Sequence, residues 1–201
     1  MSSTPSTADP RGSYTVVGSP KAPESSRVGL LVVNRSSRIN RESYLDSISR
    51  SGFTEILLVE QQANSFTVET QARAHPDFRF LLLSRDMNAG EQINAGLHEM
   101  SSDYVLVLWS TMVPVRVTAN SLSRAEEWRA LVMTPLLRNE SGGVMPSVYV
   151  PEVHRRNVDV RIVEPRSDGA ASLLPADYAG LYDRRRFINI GGYDGKIGHS
   201  Y

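Results

Sequence analysis

Four short, mainly apolar runs recur about every 25 residues, at residues 28–33 (Val-Gly-Leu-Leu-Val-Val), 55–59, 80–83 and 104–108. A strand with one wet face alternates apolar and polar residues, whereas a continuous run is apolar on both faces and needs cover from both sides. The stretches between the runs supply that cover. Residues 42–50 place Tyr44, Leu45 and Ile48 at helical spacing before Gly52, a natural stop. Residues 67–74 form a weaker helical pattern closed by Pro76, and residues 91–100 carry Ile93 and Leu97 on one face. Strands alternating with helices at this spacing predict right-handed crossovers, hence an α/β sandwich around a mostly parallel sheet. Ligands of such sheets bind beyond the carboxyl ends of the strands, so the loops at 33–36, 60–64, 84–90 and 109–112 are the candidate site.

The chain of 201 residues has room for one medium domain. Residues 1–27, rich in Ser, Thr and Pro, predict a disordered tail, and residues 28–201 the domain. Later elements are less regular: a helix is expected over 123–133, an exposed strand over 158–163 and a short strand over 180–182. Lys+Arg and Asp+Glu both total 22, which gives no basic field to attract nucleic acid. There are no cysteines, so disulfides, thiolate zinc sites and cysteine nucleophiles are excluded. No apolar run reaches the roughly 20 residues of a membrane span, and the N-terminus has no apolar signal core. A cytoplasmic protein is therefore expected. His75, His98, His154 and His199 lack ligand spacing, and the glycine-flanked serine of hydrolases, the phosphate loop and the dinucleotide fingerprint are all missing.

Within this frame the chain from about Val28 to Asp194 resembles glycosyltransferase family 2. The residues that carry the likeness are Val33-Asn34 after the first run, Val59-Glu60 after the second, Asn88-Ala89-Gly90 with Asn94-Ala95-Gly96-Leu97, and above all Arg184-Arg185-Arg186-Phe187 followed by Gly191-Gly192-Tyr193-Asp194. The resemblance implies a GT-A-like fold that binds a nucleoside-diphosphate sugar, a UDP-sugar first of all, and transfers the sugar to a glycan or lipid-linked acceptor. It implies nucleotide contacts from Val33, Asn34, Glu60, Asn88 and Gly90, with the Glu60 carboxylate accepting from the uracil N3–H. Sugar or acceptor contacts fall on Trp109, Ser110, Thr111, Gly191, Gly192 and Tyr193.

Two departures bear on chemistry. Where the family carries Asp-x-Asp to hold Mg²⁺ or Mn²⁺ against the diphosphate, this chain has Trp109-Ser110-Thr111, which are neutral. No cofactor and no metal of the family type is expected at that loop, and Arg184, Arg185 and Arg186, with Arg155 and Arg156, are candidates to neutralise the diphosphate instead. The acid pair that supplies the family's catalytic base is also missing, which leaves Asp194 as the acid for that role. An alternative therefore stands beside the transferase: an inactive relative that binds sugar or nucleotide or serves in assembly. A third reading is a nucleotide-binding α/β domain without glycosyl chemistry. Oligomeric state, sugar and acceptor are not written in these motifs.

Overall fold

The structure, a computed structural model, describes residues 13–18, 26–34, 41–113, 115–154, 157–166 and 168–195. Among them the order of elements is β1 (Tyr14–Val17), β2 (Val28–Val33), α1 (Arg41–Ser49), β3 (Glu55–Gln61), α2 (Ser65–Ala74), β4 (Phe78–Leu83), α3 (Ala89–Glu99), β5 (Tyr104–Trp109), α4 (Ala119–Glu127), β6 (Val132–Met133), β7 (Val148–His154), β8 (Asn157–Val163), β9 (Gly180–Asp183) and α5 (Arg184–Asn189). Seven strands make one sheet in the order β1-β4-β3-β2-β5-β9-β6. Strands β2, β3, β4 and β5 are mutually parallel. β9 runs against β5 and β6 against β9, so β6 again points with the central four; β1 and β9 oppose them. The expected mostly parallel sandwich is what forms.

Both faces of the central strands are buried, as their continuous apolar runs require. Leu31, Val33, Leu57, Val59, Val105, Val107 and Trp109 pack with Ile93 and Leu97 of α3 and Phe187 of α5. The alternate residues Leu30, Val32, Ile56, Leu58, Leu106 and Leu108 pack with Leu45 and Ile48 of α1, Val68 of α2 and Leu122 of α4. Each fully buried Leu or Ile contributes about 1.5–3 kcal/mol of transfer free energy. Helix α3 lies especially close to the sheet. A Cβ on Gly96 would stand 2.5 Å from Leu31 Cδ1, so only glycine lets this helix sit so near β2.

Several elements depart from the sequence reading. The tail expected over 1–27 contains β1, whose Tyr14 pairs with Leu83 along the edge of β4 and whose hydroxyl donates to Glu99 Oε1 at 2.8 Å. The rest of that expectation, over 1–12 and 19–25, lies outside the described residues, as do Arg35, Ser36, Arg155 and Arg156. The helix expected over 123–133 is α4, which starts earlier because Thr118 caps it by accepting from Ser121 N at 3.1 Å. It stops at Trp128 because Arg129 turns left-handed (φ 48°) and Ala130 N bonds back to Ala125 O at 3.0 Å. That is the usual glycine closure made with an arginine, and it frees residues 132–133 to join the sheet. The exposed strand expected over 158–163 is β8, paired with β7 in a separate hairpin. Tyr149 faces Ile162, Pro151 faces Val160 and Val153 faces Val158, so one side of the hairpin is wholly apolar, with Val153 70% and Val158 68% exposed.

Candidate functional site

The strand order reverses direction from β2, which is followed on one side by β3 and β4 and on the other by β5. A crevice for ligands opens at such a switch point, at the carboxyl ends of β2 and β5. Here those ends are stitched together: Ser110 N donates to Val33 O at 3.0 Å. Above this bond sits a chain of polar side chains. Ser110 Oγ donates to Asn34 Oδ1 at 3.1 Å, Asn34 Nδ2 donates to Glu60 Oε2 at 3.0 Å, and Asn64 Nδ2 donates to the same oxygen at 3.2 Å. The structure thus brings Asn34, Glu60 and Ser110 together, with Val33 supplying its carbonyl and Asn64, the last residue of the 60–64 loop, joining them. Glu60 is only 4% exposed, so it is no solvated strand end. It acts from beneath the rim, fixing the amides of Asn34 and Asn64. This cluster faces α1 and α2, where Tyr44, Leu45, Gln71, Glu60 and Ser110 line a small cavity. The Tyr44 hydroxyl is buried there with no hydrogen-bond partner among the described residues, and burial pushes its pKa up to about 12.

On the other face of the same rim the groups are aromatic. Trp109, 5% exposed, donates its indole N–H to Asp177 O at 2.6 Å. Tyr178 meets Trp109 edge-on at 6.3 Å and Tyr193 edge-on at 5.0 Å, and Tyr193 packs in turn on Phe187 at 5.0 Å. The Tyr182 hydroxyl donates to Tyr178 O at 2.8 Å and shares a proton contact of 2.6 Å with Tyr193 OH. Burial pushes the Tyr193 hydroxyl up to about 12, so it remains a neutral partner in this chain at physiological pH.

The paired-glycine segment joins the rim by packing. Gly191 and Gly192 close α5, their N–H groups bonding to Ile188 O at 2.9 Å and Phe187 O at 3.1 Å, with φ of 99° and 69°. Asn94 then clamps the next residue: its Nδ2 donates to Tyr193 O at 2.7 Å and its Oδ1 accepts from Tyr193 N at 2.9 Å. Asn88 and Gly90, expected as nucleotide contacts, also have contacts within the fold here. Asn88 Oδ1 accepts from Glu91 N at 2.9 Å to cap α3, Asn88 Nδ2 donates to Gly195 O at 2.9 Å, and Gly90 makes room for the Tyr193 Cβ. Thr111 and Asp194 are exposed near these groups in sequence.

The arginine cluster is at the other end of the sheet. Asp183, which caps α5, pairs with Tyr104 at the start of β5; Arg184 Nε donates to Ser102 O at 2.7 Å and Arg186 Nη1 to Arg129 O at 2.7 Å. Arg184, Arg185 and Arg186 therefore stand at the amino-terminal edge, and the diphosphate role read from their sequence does not agree with this placement. A cleft of about 410 Å³ opens beside them, lined by Tyr104, Glu126, Arg129, Asp183 and Arg186, on the edge away from the switch point.

The chemistry of the donors at the end of β5 does not fit a hard divalent cation. Trp109 presents an N–H, Ser110 a hydroxyl already bonded to Asn34, and Thr111 a hydroxyl, where such ions take carboxylate or carbonyl oxygens. Among the described residues no group of three or more His, Asp or Glu side chains could hold a metal ion, and no helix is long and apolar enough to cross a membrane.

Solved structures share this architecture. TarS 1-349 of S. aureus matches with a TM-score of 0.53 at 15% identity over 87% of this chain and 52% of its own. The same fragment in complex with UDP gives 0.55 at 15% identity over the same shares, and TarS itself 0.54 at 16% over 87% and 31%. The fold is thereby the GT-A-like nucleotide-diphospho-sugar transferase fold. This chain spans about half the length of TarS 1-349. No protein-family model matches the chain, and no curated protein matches its sequence.

Proposed function

We propose that this domain binds a nucleoside-diphosphate sugar, a UDP-sugar first of all, across the carboxyl ends of β2, β3 and β5, and transfers the sugar to a glycan or lipid-linked acceptor. The observation that carries the reading is the Ser110–Asn34–Glu60 chain at the switch point. It presents amide and hydroxyl groups of fixed orientation to a base, with a carboxylate beneath them to lock the amide. The likeness in fold to TarS, one structure of which holds UDP, supports the same choice of ligand. Val33, Asn34, Glu60 and Ser110 form the nucleotide half; Trp109, Thr111 and Tyr193 lie on the sugar and acceptor side. Binding proceeds without a divalent cation, since the end of β5 offers neutral donors. The same neutral donors favour, as the second reading, a relative that binds the sugar nucleotide without turning it over.

Calorimetric titration with UDP in the presence of EDTA tests the proposal. UDP binding is expected, unchanged by Mn²⁺. Glu60→Gln, which exchanges the carboxylate that accepts two amide protons for a group that accepts less strongly, is expected to weaken UDP about 10- to 100-fold, or roughly 1.4–2.8 kcal/mol. Equal affinity in Glu60→Gln, or binding only with Mn²⁺, would falsify it. Release of free sugar from a UDP-sugar over hours separates a transferase from a binding relative.

A further inference from the structure

Two neighbouring residues, neither of them glycine, hold left-handed backbone at the rim: Asp177 (φ 46°, ψ 34°) and Tyr178 (φ 59°). Such residues cost on the order of 1–3 kcal/mol each and persist only where their surroundings fix them. Here three groups do so. Trp109 donates to Asp177 O, the Tyr182 hydroxyl donates to Tyr178 O, and Ala179 N donates to Ala176 O at 3.0 Å. The ring of Tyr178 explains its own place, since it fits edge-on between Trp109 and Tyr193. The position of the turn follows from the register. β9 begins at Gly180 opposite Val107 and runs against β5, so the residues just before it stand over the carboxyl end of β5. Asp177 is thus carried next to Trp109, at the strand ends where the ligand is proposed to bind, and it is half-buried.

We propose that Asp177 determines specificity for the sugar of the nucleotide ligand, its carboxylate accepting hydrogen bonds from sugar hydroxyls while the pinned turn keeps it in place; this rests on the nucleotide-sugar reading above. A carboxylate accepts from vicinal hydroxyls more strongly than a neutral group does. A turn that is already ordered spends little further entropy in doing so.

The test uses Asp177→Gly and Asp177→Asn in the full chain, with melting temperature and affinities for UDP, UDP-glucose and UDP-N-acetylglucosamine. Glycine suits the left-handed backbone, and asparagine tolerates it while removing the charge. Wild type is expected to bind at least one of the two UDP-sugars more tightly than UDP. Both variants should melt within a few degrees of wild type and keep UDP affinity within about twofold. The preferred UDP-sugar should lose tenfold or more, down to the level of UDP. Unchanged UDP-sugar affinity overturns the proposal, and so does a parallel loss of UDP and UDP-sugar, which is what a purely structural role gives. Wild type that binds UDP-sugars no tighter than UDP overturns it while leaving the nucleotide reading intact; wild type that binds neither removes both.

Discussion

Replacing Glu55 by alanine is expected to lower the unfolding free energy by about 3–5 kcal/mol, because it removes one partner of a buried ion pair. Glu55 is 6% exposed at the start of β3. Its carboxylate accepts from Ser101 N at 2.9 Å, Ser102 N at 2.8 Å and Arg79 Nη2 at 2.8 Å, and from both serine hydroxyls. It therefore fastens the α3–β5 connection onto the amino end of the sheet. Without it two backbone N–H groups lose their acceptor, and a largely buried guanidinium loses its counter-charge and keeps only the Glu99 carbonyl. Urea unfolding should show a lower midpoint at unchanged slope, and an unchanged midpoint would show that water replaces the carboxylate at no cost. The pH dependence follows in sign. Burial alone would raise the Glu55 pKa, but the bonds from Ser102 and Ser101 and the charge of Arg79 outweigh it and hold the group below its ordinary value. A depressed folded pKa gives stability that is complete above the unfolded value of roughly 4.3 and is lost as pH falls through the folded value. Glu55→Gln should flatten the wild-type loss of stability in that acid window.

The second large effect is expected at Trp109. Trp109→Ala should cost about 3–5 kcal/mol, the range for removing a buried aromatic from a packed core. Trp109→Phe keeps most of the packing and removes the indole N–H bond to the Asp177 carbonyl, at roughly 0.5–1.5 kcal/mol. Thermal or urea unfolding reads both. A phenylalanine variant as stable as wild type would mean that the turn above β5 holds itself without the indole.

The four central strands and the helices between them were legible because their runs have one physical cause, burial on two faces. Elements set by local chemistry were harder to read. β1 is four residues between Pro-rich stretches and owes its form to the free edge of β4. α5 was hidden inside an arginine motif, although Asp183 before it and Gly191-Gly192 after it are ordinary helix start and stop signals. The end of α4 has no signal in the sequence, because Leu131, Val132 and Met133 keep an apolar pattern and no glycine announces the left-handed turn at Arg129. Asn34, Glu60 and Ser110 stand at strand ends, which is why the strand pattern alone brings them to one rim, where they bond to one another. Asn88 caps α3 locally, but its bond to Gly195 and the room that Gly90 leaves for Tyr193 depend on a segment about 100 residues away and have no signal in their own stretch. Asp177 carries no motif at all; a single acid before an Ala-Gly strand start gives no sign that the backbone there is left-handed.

The polar chain and the aromatic cluster occupy opposite faces of one sheet, and Gly96 lets α3 pack against β2 with almost no clearance. A molecule that touches Asn34 and Asp177 together has to be long enough to straddle the strand tips, with its two ends tethered by their own covalent link. Tethering makes the second contact intramolecular, so a nucleoside and a free monosaccharide supplied separately should together hold far more weakly than the joined compound.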